Sequence, residues 1–388
     1  AQILADHKRS IGLSTETIDL QFVLDHYSFG LNKPQAIKEF LKAINSYSNK
    51  KLKYVLFAMD ATVDSKNLNN LEISLRSPVY LDESNYHDYA SELWSIKENE
   101  DLYDFALGRI PSNTKEELSK VVNKIIKYET EIVDTYSNEI SFTYVEDQVS
   151  DFEKSTLNLS SSASLFQKTY SNLSNASEGK LEEELGKNFL VNYMGHGSDY
   201  SIGELDSEIL NIAKVDAMNN SKYPLILALN CLTNVYSKAD PTDQGLGEYL
   251  LLKENSGAIG LIASNTLLSP SNQALFAKYF YDELNRASKS TNTELRVGDI
   301  LKGTHQRLSI AGLDNSQTDS ILLLGDPSLK LPKTIFQKEK PFKASKSGSN
   351  SGGGCSNSAR NLPWYFGLIE MLFALGMIFI RKTKIRKD

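Results

Sequence analysis

The sequence predicts an α/β fold, an α/β/α sandwich on a mostly parallel sheet, and three observations lead there. Continuous apolar runs of strand length alternate with amphipathic helical segments, the pattern of buried strands joined by helical crossovers. Two of these runs end directly in reactive side chains, as strands do where the loops of an open sheet begin. The 388 residues are 40% hydrophobic and 23% charged, enough for one or two globular units, and two cysteines are too few for a disulfide-held fold.

The elements follow in order. Residues 34–47 (PQAIKEFLKAINSY) carry Ile37, Phe40, Leu41 and Ile44 on one helical face, with proline in the first turn. Residues 54–59 (YVLFAM) read as a buried strand with Asp60 and Asp64 beyond its end, and 104–110 (DFALGRI) as the next. Residues 114–129 open with a Thr cap and an acidic first turn and form a helix. Strands are predicted at 140–144, 189–194, 225–229, 258–263 and 321–324, and helices at 247–253, 272–286 and 297–308; a Ser/Asn-rich stretch covers 155–177. Two lobes are expected, 1–132 and a catalytic 133–335, with the junction near Glu129 to Glu139.

The tail has a different composition. Residues 336–361 are rich in Lys, Ser, Gly and Asn and cannot bury enough apolar surface to offset ordering, so they read as a flexible tether. Residues 362–380 hold one formal charge, Glu370, over nineteen positions, about the length that crosses a ~30 Å hydrocarbon layer. Trp364 and Tyr365 stand at the start of this stretch, and the basic residues of 381–388 follow it. The expectation is a transmembrane helix with a cytoplasmic C-terminus, which puts the globular part outside the cytoplasm, in a bacterial envelope or secreted. The net charge is −7; the last eight residues contribute +4, leaving −11 on the rest, an acidity that excludes a nucleic-acid binder. The chain opens on Ala1 without a signal pattern, as expected of a processed product or a fragment.

Two strand ends carry the chemistry. The run 189–194 (FLVNYM) leads into Gly195-His196-Gly197-Ser198, and 225–229 (LILAL) into Asn230-Cys231. A histidine between glycines lies on a sharp turn where backbone can approach a ligand. A thiolate is a nucleophile and a nearby imidazole accepts its proton, so the two strand ends suit covalent catalysis. The amides of Gly197 and Cys231 could then bind an oxyanion. Against this, a lone cysteine after a buried strand can be an inert core residue and a histidine in a turn a cap. The 35-residue separation, room for one crossover, favours the catalytic reading. His7, His26, His87 and His305 lack this context and read as surface or cap residues.

The stretches NYMGHGS (192–198) and PLILALNCLTN (224–234) resemble the gingipain family of clan CD cysteine peptidases. PQAIKEFL, YVLFAMDATVDSKN, DFALGRIPSNTKEEL and LLLGDPSLKLP resemble further family blocks in the same order, so the likeness spans about 22–332. It implies a caspase-like fold and peptide-bond hydrolysis through a thioester acyl-enzyme, with Cys231 as nucleophile, His196 as general acid/base and Gly197 in the oxyanion site. It also implies an acidic residue orienting the histidine, and Asp104, ahead of Gly108-Arg109, stands where the family has it. No cofactor is implied beyond structural calcium in some members, for which no dense carboxylate loop fixes a site. Protein or peptide substrates are the implied partners. The tail resembles bacterial envelope-sorting tails, with Cys355 marking the processing or attachment point for a sorting protease, or else a permanent anchor. Asp199, Glu204, Asp240 and Asp243 lie in loops able to supply a carboxylate to a basic-residue pocket, and Asp326, in Gly-Asp-Pro, reads as a turn residue. The competing function is a non-hydrolytic gingipain-like module in envelope secretion or surface binding.

Overall fold

The computed structural model describes residues 1–48, 52–62, 72–73, 76–80, 86–90, 97–99, 102–147, 149–204, 206–238, 240, 242–289, 294–311, 318–335 and 375–381. Ten strands form one sheet: β1 (Leu13–Asp19), β2 (Leu52–Phe57), β3 (Ala106–Arg109), β4 (Glu139–Tyr144), β5 (Gln167–Asn172), β6 (Leu190–Met194), β7 (Leu225–Leu229), β8 (Gly260–Ser264), β9 (Ile321–Gly325) and β10 (Leu375–Arg381). Their spatial order is β1-β10-β2-β3-β9-β8-β7-β6-β4-β5. Neighbours within β5-β4-β6-β7-β8 are parallel, as are those within β1-β10-β2-β3. β8 and β9 are antiparallel, Gly260 facing Gly325 and Ser264 facing Ile321, and β9 meets β3 through one rung, Leu324 with Arg109.

The central strands β6, β7, β8 and β9 are buried at every residue, as their unbroken apolar runs require. Around them lie α1 (Gln2–Ser10), α2 (Leu20–Ser28), α3 (Pro34–Tyr47), α4 (Lys115–Lys127), α5 (Phe152–Asn158), α6 (Lys180–Lys187), α7 (Ile212–Ala217), α8 (Leu246–Leu252), α9 (Pro270–Ser288) and α10 (Val297–Ile310). α4 begins at the expected cap: the Thr114 hydroxyl accepts from the Glu117 amide and the Glu117 carboxylate accepts from the Thr114 amide. α4 packs on α1 and α8, while α9 packs on α5 and α10, two separate groups as a sheet covered on both faces needs. Both expected lobes share this sheet and one continuous apolar core.

The expected transmembrane helix is corrected. Its last residues, from Leu375, together with Arg381 form β10, a parallel strand between β1 and β2; 362–374 lie outside the described residues. Among the described residues no helix is long and apolar enough to cross a membrane. The ambiguity is physical, because an unbroken apolar run suits a buried central strand as well as a hydrocarbon layer. The Ser/Asn-rich stretch also holds more order than its composition suggests, since α5 leads into it and β5 pairs along β4. His305 is not a surface residue: it is 1% exposed and its Nε2 bonds the Ile321 carbonyl.

Candidate active site

Three strands end on one level. Tyr144 of β4 pairs with Met194 of β6, which pairs with Leu229 of β7. Asp147 lies three residues past this level, and His196 and Cys231 lie two residues past it. Adjacent parallel strands stand about 4.8 Å apart, so this shared register delivers a carboxylate, an imidazole and a thiol to one edge of the sheet.

The His196 turn is tightly held. Its carbonyl accepts from the Gly203 amide at 3.0 Å, the Tyr193 hydroxyl at 2.9 Å and the Asn230 side-chain amide at 3.5 Å. Glycine is obligatory on both sides, because a Cβ at Gly195 would strike the Tyr193 ring and one at Gly197 the Asn230 side chain. The Gly197–Ile202 bridge is closed by the amides of Ser198 and Gly203, so the Gly197 N–H takes no part in it.

The imidazole Nε2 lies 2.8 Å from Asp147 Oδ2, and the ring meets Phe152 edge-on at 5.2 Å between centroids. Asp147 also accepts from the Ser150 hydroxyl and the Val149 amide, both at 2.7 Å. The Ser150 bond, then the Val149 amide, then His196 hold its carboxyl well below the usual range, so it is a fixed anion. Glu204 Oε1 lies 3.9 Å from the same Nε2.

Cys231 is half-buried on a turn that the next residue makes sharp: Leu232 has φ of +62°, in the left-handed region that side chains avoid. The sulfur accepts from the Leu268 amide at 3.4 Å, and its S–H faces the Leu268 carbonyl at 3.7 Å. Burial pushes the thiol pKa up, against the Leu268 bond that lowers it, so the resting group is the neutral thiol. The buried Gln273 of α9 joins both sides by donating to the Gly195 and Leu268 carbonyls, each at 3.3 Å.

The model of peptidase family C25 matches residues 1–332. The chain belongs to peptidase family C25. It is thus a member of the gingipain family and a cysteine-type peptidase, a hydrolase of proteins or peptides. Two solved structures share its fold. One is the complex of Porphyromonas gingivalis RgpB pro- and mature domains, 18% identical over 86% of this chain and 77% of that chain, with a TM-score of 0.66. The other is the Arg-specific cysteine proteinase gingipain R (RGPB), 16% identical over 84% and 79%, with a TM-score of 0.62. No curated protein matches.

In this C25 peptidase Asp104 does not join His196. It precedes the amino end of β3, four strand positions from β6, and its carbonyl accepts from Lys302. Asp147 stands on the imidazole instead. The signal for it was present: 140–144 is an apolar strand followed by Val-Glu-Asp, the same arrangement that marked His196 and Cys231.

Of the four loop carboxylates, Asp199 and Asp243 are paired with Lys238, Asp240 caps the Thr242 amide and hydroxyl, and Glu204 is exposed beside His196. Asp60, past the end of β2, is 4% exposed; it accepts from the Ala61 amide, and burial pushes its pKa up to about 7. Asp326 is a turn residue, accepting from the Ser328 amide and hydroxyl, and also an ion-pair partner of Lys8. Asp64 and Cys355 lie outside the described residues. Among the described residues no group of three or more His, Cys, Asp or Glu is placed to hold a metal ion.

Proposed function

We propose that the peptidase works through Cys231 as nucleophile and His196 as general acid/base, with Asp147 orienting the imidazole. The observation that carries this is the common level of the three strand ends, supported by the 2.8 Å contact of His196 Nε2 with an anionic carboxylate. With Nε2 donating to Asp147, Nδ1 is the nitrogen that takes the thiol proton. Because burial keeps Cys231 protonated at rest, proton transfer accompanies substrate attack rather than preceding it.

The sulfur attacks the scissile carbonyl carbon, and the resulting oxyanion takes hydrogen bonds from the Gly197 and Cys231 amides. The C–N bond breaks as the imidazolium returns its proton to the leaving amine, which leaves a thioester on Cys231. Water, deprotonated by His196, cleaves the thioester and restores the thiol. The peptide amides and side chains of this chain supply every group in the cycle, without a cofactor. Action in a bacterial envelope or in the secreted space belongs to the same reading and rests on the Lys/Ser/Gly-rich, cysteine-bearing pattern of 336–361, the part of the expected tail that β10 does not claim.

A thiol-directed probe on the full chain should label Cys231, and Cys231→Ala should lose both labelling and peptide cleavage. Cleavage that persists in Cys231→Ala overturns the assignment. Culture fractionation with mass measurement of the C-terminus checks the location.

A further inference from the structure

We propose that Lys238 is a positioning residue whose ammonium latches the loop carrying His196 to the loop carrying Cys231. This rests on the peptidase reading above and deepens it. Asp199 lies three residues after His196, while Lys238 and Asp243 belong to the segment between Cys231 and α8. Lys238 Nζ is 3.1 Å from Asp199 Oδ2 and 3.2 Å from Asp243 Oδ1, one carboxylate from each loop. The same ammonium sits 4.0 Å from the centroid of the Tyr200 ring, and the Tyr200 hydroxyl donates to Asp243 at 2.8 Å. The Asp199 carbonyl accepts from the Leu246 amide at 2.7 Å, so the backbone of the histidine loop also holds the first residue of α8. The Lys238 side chain is 12% exposed and its partners Asp199 and Asp243 are 30% and 46%, so the ammonium is sheltered while the carboxylates reach water.

The neighbouring carboxyl groups are not all anions. Buried Glu248, on α8, lies in the fields of Lys238, Asp60 and Glu117, and it accepts from the Gly245 amide at 2.7 Å. Burial pushes the carboxyls of Glu248 and Asp60 up, toward the neutral acid, with Arg109 beside Asp60, so the anions that Lys238 itself meets are Asp199 and Asp243. Without the Lys238 charge, Asp199 and Asp243 repel across the boundary between the two loops. Loss of the Lys238–Asp199 attraction, with or without that repulsion, acts on the separation between the imidazole and the sulfur, where a displacement of about 1 Å can cost on the order of 100-fold in rate. Both acids therefore serve as anchor points, which withdraws them from the set able to recognise a basic substrate side chain.

Three full-chain variants test the latch: Lys238→Met keeps length without charge, Lys238→Arg keeps charge, and Asp199→Asn removes the charge that Lys238 meets on the histidine loop while leaving the Lys238–Asp243 pair and the Tyr200–Asp243 bond intact. Peptide-hydrolysis kcat and KM are measured beside the pH dependence of Cys231 alkylation by iodoacetamide, which reports imidazole–thiol coupling whether or not a peptide is cleaved. Lys238→Met and Asp199→Asn should lower kcat about tenfold or more with KM changed less than about threefold. Their alkylation profiles should move toward that of His196→Ala, and Lys238→Arg should recover most of both losses. Should Lys238→Met fail to fold, Asp199→Asn carries the test alone. Wild-type kcat and alkylation profiles in Asp199→Asn and in folded Lys238→Met overturn the latch, provided His196→Ala alters the profile. If His196→Ala leaves alkylation unchanged, the pairing of histidine with cysteine fails, and the latch falls with it.

Discussion

The same charge arrangement, one lysine between two carboxylates, occurs at both edges of the sheet. At the edge opposite the active site, Lys8 of α1 lies 2.7 Å from Glu129 Oε1 and 2.7 Å from Asp326 Oδ2, and all three side chains are fully buried. Glu129 is further satisfied by His7 Nε2 at 2.8 Å and the Lys330 amide at 3.1 Å. At the catalytic edge, Lys238 makes the corresponding contacts in partial reach of water, with Asp199 and Asp243 at 30% and 46% side-chain exposure. The difference teaches what burial does to one motif. A fully dry triad holds elements in place and is ruinous to break, because any lost partner strands a charge. A solvated one contributes little to folding but can set the relative position of two loops.

The largest expected effect comes from breaking the dry triad. Lys8→Met leaves the Glu129 and Asp326 carboxylates facing each other in the core and should destabilise the protein by about 3–5 kcal/mol in denaturant titrations. A loss below ~1 kcal/mol would mean that the two edges do not differ as described.

Next in size is Asp147→Asn, which swaps the fixed anion on His196 for a neutral amide. It should cost about 100-fold in kcat with a small fall in melting temperature from the weakened Ser150 and Val149 bonds, read by steady-state kinetics and calorimetry. Asp104→Asn should leave kcat unchanged, and the pair of variants separates the two candidate orienting residues.

The pH dependence of stability sharpens the comparison from the catalytic side. Burial raises Asp60 to about 7 in the folded chain, against an unfolded value of about 3.9. The native state therefore holds a proton that the unfolded chain releases between these values. The stabilising contribution is complete below about pH 4 and is lost as the pH rises through 7. Asp60→Asn should melt higher than wild type at pH 8, with the gap closing toward pH 5; a gap that widens on acidification contradicts this sign.

The smallest expected effect is on the melting temperature of Lys238→Met. Exposed and half-exposed pairs are worth about 0–1 kcal/mol, so its stability should change little while its turnover falls.

Much of the catalytic half was legible in the sequence because its strands are buried on both faces and read as unbroken apolar runs. Residues 189–194 and 225–229 announced β6 and β7, and the reactive side chains followed where open sheets put them. Asp104 is suggested by its place ahead of Gly108-Arg109, whereas contact with the imidazole depends on which strands are neighbours, and β4, which leads to Asp147, lies beside β6. Lys238 gave no sequence signal, since its partners come together only when the two loops fold back. α1 and β1 were passed over because their faces are mixed, with Lys8 buried by its ion pairs rather than by apolar character. At 375–381 the apolar run is legible, but its length matches a bilayer, when six of its residues with Arg381 suffice for a strand.

β10 has a practical consequence for handling this peptidase. Among the described residues β1 touches the rest of the sheet through β10 alone, so a recombinant form truncated before Leu375 presents two parallel rows of unbonded amides and carbonyls on either side of a cleft one chain wide. Such a cleft is a template for any extended apolar peptide, including one from a neighbouring molecule, and preparations shortened in this way should oligomerise or precipitate where longer ones stay dispersed.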